Sequence, residues 1–433
     1  MKINKYKILP VIATVIIILV ILILHNVNTA DSSLSTTNSD SDFSSGSGLN
    51  SDSDLDSDSS LNSNSNSGTD SDSDANLNSN SDSSNHSSDK DLLTSETTSS
   101  ESETTTTSGI HNGTDKITIA FAGDILLADN LYASYQANGV AGFLSETVSN
   151  QLKNADLTFI NQEFPFSNRG TPEPNKEYTY CVAPERVQVF LDMGVDVVSI
   201  SNNHILDYGQ DALVDTFSVL ENAGIDYVGA GSDLDRAKQL IIKEVNGKKI
   251  GFLAASRVVP SESWYARNAT DTHAARPGVF TAYDDTAMCE EITKAKQICD
   301  FVVVYAHWGI ERQETAAQYQ RTMAHRFVDA GADLIVGSHP HVMQGVEFYK
   351  DVPIVYSLGN FLFSNYYSRT TVLTCTIQND NTCSIEFLPC GSQTYYTSEL
   401  SESGIPGFYD FLNQVSFGVT FSSDGTFTYT QVE

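Results

Sequence analysis

Asp124, Glu163, Asn203, His204, His307, His339 and His341 each stand at or just past the end of a short apolar run. Their types are those of a divalent-metal site. Imidazole and carboxylate together suit a borderline or hard cation such as Zn²⁺, Mn²⁺ or Fe²⁺. One ion, or two held about 3.5–4 Å apart, can clamp a phosphoryl or ester group and turn bound water into a hydroxide nucleophile. That leaves His204, beside the oxygen donor Asn203, for general-acid work or for stabilising an oxyanion. Pro340 disfavours helical backbone at His339, so 339–341 is expected to be extended. Both rings then point the same way, into one site or one to each of two ions.

Asn161, Trp308, Glu311 and Asn360 share these stretches and are candidates for the surrounding shell or for substrate contact. Each has a plainer reading. Trp308 is a stacking platform or a core residue. Glu311 positions a ligand histidine or begins a helix as an exposed carboxylate. Asn360 is a site residue or a turn residue. His325 lies within a stretch of helical character and reads as packed or surface. His273 sits in a polar stretch without a motif.

The elements that must position these groups alternate along the chain. Apolar runs at 117–123, 157–160, 195–201, 301–306, 332–338 and 352–359 read as strands. Stretches of helical length at 142–153, 184–193, 210–223, 284–298 and 315–330 lie between them. The alternation predicts an α/β fold. In open α/β sheets, sites form outside the carboxyl ends of the strands, where these polar residues fall. Residues 366–433 read as short strands with Gly and Asn turns, a β-rich extension packed on the domain.

The formal net charge is −31, which excludes a basic nucleic-acid binder. The acidity is uneven. Residues 31–115 hold 17 acids against the single base Lys90, in a Ser/Asp/Asn/Thr background too poor in apolar groups to order itself. This segment is expected to be a disordered, self-repelling stalk. Residues 8–24 are apolar apart from Pro10 and Thr14 and would reach about 25 Å as a helix, near the lower limit for spanning a bilayer. Lys2, Lys5 and Lys7 precede them, which places the N-terminus in the cytoplasm and the rest outside. The expectation is an uncleaved single-pass anchor over 1–30. A cleaved signal peptide is the alternative, although 28–30 offers Asn where a small residue is wanted. All six cysteines follow this segment. Cys375 and Cys383, flanking an Asn-Asp-Asn turn, are the expected disulfide pair. Cys289 and Cys299, near the ends of one helical stretch, are not expected to pair.

Six ordered blocks carry a resemblance: FAGDI at 121–125, NQEF at 161–164, SNNHILDYG at 201–209, AHWGIE at 306–311, GSHPHVMQGVE at 337–347 and YSLGNFLF at 356–363. Together they resemble the CapA family of poly-γ-glutamate capsule-synthesis accessory proteins, within the calcineurin-like metallophosphoesterase superfamily. The resemblance covers about 117–364. It implies a layered sandwich of β-sheets flanked by helices over 116–365. It also implies that Asp124, Asn203, His307, His339 and His341 are metal ligands, that Glu163 replaces the bridging Asp, and that His204 is catalytic. Two blocks depart from the superfamily. Its Asp-x-His reads Asp124-Ile125-Leu126, and its second Gly-Asp reads Asn161-Gln162-Glu163, so one metal or two is left open. The implied function is support for synthesis or export of poly-γ-glutamate or a related capsular polymer, alongside synthase and export proteins at the cell surface. A metal-dependent hydrolase of a phosphoester or polymer amide bond is the first alternative, and a non-catalytic scaffold the second. An acidic domain should repel a polyanion at long range, so contact would fall to a local cluster, with Arg257, Arg267, Arg276 and Arg312 as candidates.

Overall fold

The computed structural model describes residues 116–363, 367–393 and 395–430. The expected membrane anchor and acidic stalk lie outside the described residues. Among the described residues no helix is long and apolar enough to cross a membrane.

Two sheets pack face to face. The first runs, in spatial order, Tyr396–Glu399, Cys383–Gln393, Tyr367–Ile377, Ile117–Ile125, Leu157–Gln162, Val197–Ser199 and Asp226–Val228. Its last four strands are mutually parallel and its first three are antiparallel. The second runs Val346–Tyr349, Val352–Val355, Leu334–Ser338, Phe301–His307, Lys248–Ser256 and Ile241–Val245, with the middle four parallel. Phe121, Phe159 and Val197 of the first sheet meet Phe252, Val303 and Tyr305 of the second in one buried layer. Strands buried on both faces need continuous apolar runs, which ITIAFAG and FVVVYA supply. Helices Glu146–Lys153, Val187–Met193 and Gly209–Ala223 cover the outer face of the first sheet, and Thr286–Lys296 and Gln318–Ala330 that of the second. The result is the expected layered α/β sandwich.

Three features depart from the sequence reading. Strand Lys248–Ser256 is not among the expected strands, yet it lies inside the second sheet, between Phe301–His307 and the edge strand Ile241–Val245. Residues 367–399 form the expected C-terminal strands but as part of the first sheet, because Tyr367–Ile377 pairs residue by residue with Ile117–Ile125 and continues it in its own plane. A helix, Ile405–Val415, and a hairpin, Val419–Phe421 with Phe427–Tyr429, follow and bury Phe408, Leu412 and Phe421 in the inter-sheet core. The Cys375–Cys383 bridge is not formed. The register puts Cys375 opposite Ile385 and Cys383 opposite Ile377, so the two thiols are diagonal neighbours rather than a facing pair. They remain in contact, and hydrogen bonding to Cys383 together with burial pushes the Cys375 thiol well above its usual range.

Candidate metal centre

Asp124, Asn161 and Asn360 sit side by side on three neighbouring strands, because residue 124 pairs with both others. The strand of Asp124 is irregular here, with a register shift between Ala122 and Asp124. Gly123 makes this possible. A Cβ at that position would lie 1.9 Å from the Gly359 carbonyl oxygen, and the Asp124 amide donates to that same oxygen at 2.9 Å. Asn161 Nδ2 donates to Asp124 Oδ1 at 2.8 Å and so fixes the carboxylate. Glu163 follows the next strand and is fully buried. From the second sheet, His307 ends strand Phe301–His307 opposite Ser338, and its Nδ1 lies 3.0 Å from Ser338 Oγ.

These groups converge. Asp124, Glu163 and His307 each present a ligand atom within 4.8 Å of the others. His307 Nε2 faces Asn203 Oδ1 at 2.9 Å and Glu163 Oε1 at 3.5 Å. His341 Nδ1 lies 3.3 Å from Asp124 Oδ2, 3.8 Å from Glu163 Oε2 and 2.8 Å from Asn360 Oδ1. The His339 ring sits 4.9 Å from the His307 ring, centroid to centroid. Asp124 Oδ2, both Glu163 oxygens and His339 Nδ1 are buried without a hydrogen-bond partner. An unsatisfied buried polar group costs about 1–3 kcal/mol, and a charged one more. Three of these atoms belong to the convergent Asp124–Glu163–His307 group, a donor set whose open oxygens a cation would satisfy. Two buried carboxylates and three imidazoles fit a divalent cation in both charge and chemistry.

The electrostatics agree. Burial and the neighbouring Asp124 push the Glu163 carboxyl well up. Burial pushes His307 well down and His339 to about 3, so both rings stay neutral, the form in which imidazole binds metal. Burial also lowers His341, but Glu163 and Asp124 outweigh it and hold the ring at about 10. A protonated Glu163 would leave His341 only Asp124 to lean on. Glu163 and His341 together therefore retain more protons at neutral pH than the same two groups would in water.

The extended His-Pro-His expectation fails. His339 has φ +98° and His341 φ +59°, so the chain turns here. Both lie past the last paired residue, Ser338, where no ladder holds the backbone straight. The two rings are 6.0 Å apart, His339 beside His307 and His341 beside the carboxylates. Non-glycine residues with positive φ concentrate at functional sites, where surrounding contacts hold the strain.

His204 is 6% exposed, with Nδ1 2.7 Å from Asp207 Oδ2 and its ring against Tyr180. Burial lowers its affinity for a proton. A cleft of about 760 Å³ opens over His204, His341 and Asn360, walled by Tyr178, Tyr180 and Phe363. Glu311 lines its mouth as an exposed residue and does not begin a helix, which starts at Gln318. Arg312 lines the same mouth. Trp308 is wholly buried, parallel to Phe327, and its indole N–H donates to the Tyr356 carbonyl at 2.9 Å. It is a core residue and not a substrate platform, because its strand turns it outward under the second sheet's helices. Arg267 and Arg276 donate to backbone carbonyls of their own loop, and Arg257 stacks over Tyr283. His325 binds Glu347 at 3.0 Å and stacks on Tyr349, away from the cluster.

Three contributors escaped the sequence reading. Asn202 Nδ2 donates to the Gln162 carbonyl at 2.7 Å and braces the two ligand-bearing loops. Asp207 holds His204, and its place three residues later in the same block was the available signal. Lys176 contacts Asp207, His204 and the Asn203 carbonyl from a loop that carries no block at all.

A family model described as Bacterial capsule synthesis protein PGA_cap matches residues 118–365. The Bacillus anthracis capsule biosynthesis protein CapA is 30% identical over 309 residues, covering 68% of this chain and 73% of that protein. The Bacillus subtilis PGA biosynthesis protein CapA is 34% identical over 258 residues, covering 59% of this chain and 66% of that one. Among solved structures, a hypothetical protein from Thermus thermophilus aligns over 64% of this chain and all of its own, at 14% identity and a TM-score of 0.38. The match to the capsule-synthesis model takes in every residue of the convergent cluster, and the chain belongs to the bacterial capsule synthesis protein family PGA_cap, within the metallophosphoesterase-like superfamily.

Proposed function

We propose that this chain is an accessory protein for synthesis or export of poly-γ-glutamate or a related capsular polymer, working through a divalent-metal site outside the membrane. Residues 8–24 would anchor it and the acidic stalk would space the domain from the bilayer. The ligands would be Asp124, Glu163, Asn203 and His307, with His339 and His341 completing the set. The observation that carries the metal reading is the convergence of Asp124, Glu163 and His307 with three buried carboxylate oxygens that have no hydrogen-bond partner. A bound ion would supply Lewis acidity and an activated water. The chain's own residues do the rest. Asn161 aims Asp124, Ser338 fixes which ring nitrogen of His307 faces inward, and Asn360 orients His341. Metal analysis of the purified chain tests this reading. About one or two equivalents of Zn, Mn or Fe are expected, lost in His307→Ala and in Asp124→Ala. A metal-free wild type that no added ion stabilises would end it.

Hydrolysis is favoured as a second reading by one specific observation. Asp207 holds His204 Nδ1 at 2.7 Å beside the cleft, the arrangement that leaves the other ring nitrogen for proton transfer. Turnover of bis-p-nitrophenyl phosphate, abolished in His204→Ala with metal content unchanged, would support it. Equal turnover in His204→Ala would sink it.

A further inference from the structure

The loop between Phe166 and Val182 leaves the core and returns to its starting point. Ser167 N donates to the Val182 carbonyl at 2.9 Å, and Val182 N to the Pro165 carbonyl at 3.0 Å. This closed, surface-running shape is that of an Ω-loop. It is stiff for a loop. Pro172 and Pro174 fix two φ angles, and Asn175 turns the chain with φ +65°. Arg169 forks onto Asp215 of helix Gly209–Ala223 at 2.9 and 2.6 Å. A Cβ on Gly170 would lie 2.0 Å from the Tyr208 carbonyl oxygen, so the loop lies flat against that segment. Glu173 N donates to the Asp207 carbonyl at 2.7 Å, and Tyr180 N to Asp207 Oδ2 at 2.8 Å. Every one of these fastenings lands on or near the 203–215 stretch.

Lys176 is the deepest of them. Its side chain is 16% exposed and its ammonium touches Asp207 Oδ1, the Asn203 carbonyl and His204 Nδ1. Trp264 closes the other side, 5.2 Å from the nitrogen. Burying an ammonium is costly unless it finds acceptors, and here they are Asp207 Oδ1 and the Asn203 carbonyl, in the turn that carries one candidate ligand and one candidate acid; His204 Nδ1, which donates to Asp207 Oδ2, is a neighbour of the ammonium and not its acceptor. Asp207 is fully buried and its two oxygens divide their work. Oδ1 takes Lys176, while Oδ2 takes His204 and the Tyr180 amide.

We infer that Lys176 is a positioning residue for His204, and that residues 168–181 form the element that completes the site by docking it. The inference deepens the hydrolase reading and rests on it for its catalytic meaning, although the geometry it asserts is independent of turnover. With Lys176 seated, Asp207 is held square to His204, the Asn203 carbonyl is tied down, and Tyr180 is laid against the imidazole. The same loop brings Tyr178 to the cleft wall. Loop position and His204 alignment are thereby one variable.

Residue-resolved diethyl pyrocarbonate footprinting of the full-length protein in detergent, read by mass spectrometry, tests it. In wild type His204 should react slowly, since Tyr180 and Lys176 cage it. Lys176→Met should raise the His204 rate about tenfold or more. His307 and His339 should stay protected, metal content should stay the same, and Lys176→Arg should return the rate to within about threefold of wild type. Two results would overturn the inference. One is an unchanged His204 rate in Lys176→Met. The other is a rise shared equally by His307 and His339, which is general loosening. Bis-p-nitrophenyl phosphate turnover is measured on the same samples. If wild type shows none, the hydrolase reading fails while the footprint still decides the role of Lys176.

Discussion

The two sheets furnish the site with different chemistry. The first gives oxygen: Asp124 and Asn161 stand near the ends of its strands, and Glu163 and Asn203 follow them. The second gives nitrogen: His307, His339 and His341 follow its strands. The two behave oppositely in the metal-free molecule. Burial raises the energy of the oxygen half, because the Glu163 carboxyl lies beside Asp124 with neither of its oxygens hydrogen-bonded. It leaves His307 and His339 comfortable as neutral rings. The seam between the sheets is therefore where a cation gains most, and the acids are the half that needs it.

The largest expected effect separates the halves. Glu163→Gln and His307→Ala should both reduce bound metal from stoichiometric to undetectable. In chelator, Glu163→Gln should melt several degrees above wild type at neutral pH, because folding then no longer has to protonate a carboxyl or bury its charge. His307→Ala should melt below wild type, because it opens a cavity. Thermal melts of both variants with EDTA check this, and shifts of the same sign would break the comparison. Wild type itself should lose several degrees on chelation, since an ion present at a thousand times its Kd contributes about 4 kcal/mol.

The next effect is on pH. His341 is held at about 10, above its unfolded value near 6.5. Its contribution is full below pH 6.5 and is lost as pH rises towards 10. His339 is held at about 3, below its unfolded value. Its contribution is full above pH 6.5 and is lost as pH falls towards 3. Metal-free protein should thus be most stable near pH 6.5 and decline on both sides. Bound metal makes His341 a neutral ligand, so the alkaline decline should vanish in loaded protein, as melts from pH 6.5 to 10 will show.

Smaller effects sharpen the boundary of each half. Asn360→Ala removes the acceptor that orients His341 and should weaken metal affinity by about tenfold, read by competition with a chromophoric chelator. Trp308→Phe should leave metal content unchanged. It should cost about 1–2 kcal/mol of stability in denaturant melts, because the Tyr356 carbonyl loses its donor.

The oxygen and nitrogen halves were also unequally legible. Asp124, Glu163 and His307 could be placed from the sequence because each ends an apolar run, and strand ends are where such sheets expose groups. His339 and His341 lie beside His307 and the carboxylates, but their backbone is not the extended one expected. The Pro340 rule speaks only of helix, and nothing local announced two positive φ angles. Trp308 carried no directional signal beside His307, since consecutive strand residues face opposite ways and only the sheet's layers reveal which face is core. Lys176 was invisible because its partners lie 27 to 31 positions away and a lone lysine in a polar loop looks like solvent-facing charge. The strand Lys248–Ser256 ends on Ser256 and Arg257, types that do not mark a metal-ligand strand end, and the in-plane C-terminal strands pair across about 250 residues, which leaves no local trace.

The short strand Asn360–Leu362 lies against the end of Ile117–Ile125, and Gly359 accepts the amide of Asp124. This fastening has a consequence in time. The first ligand is synthesised more than 230 residues before the segment that fixes its backbone. At the ribosome's pace of about 5–20 residues per second, the interval is roughly 10 to 50 s. Through all of it Asp124 sits on an unfinished strand. The full candidate donor set exists only once the chain has grown past Asn360, so an ion that needs the whole set would be acquired after that point.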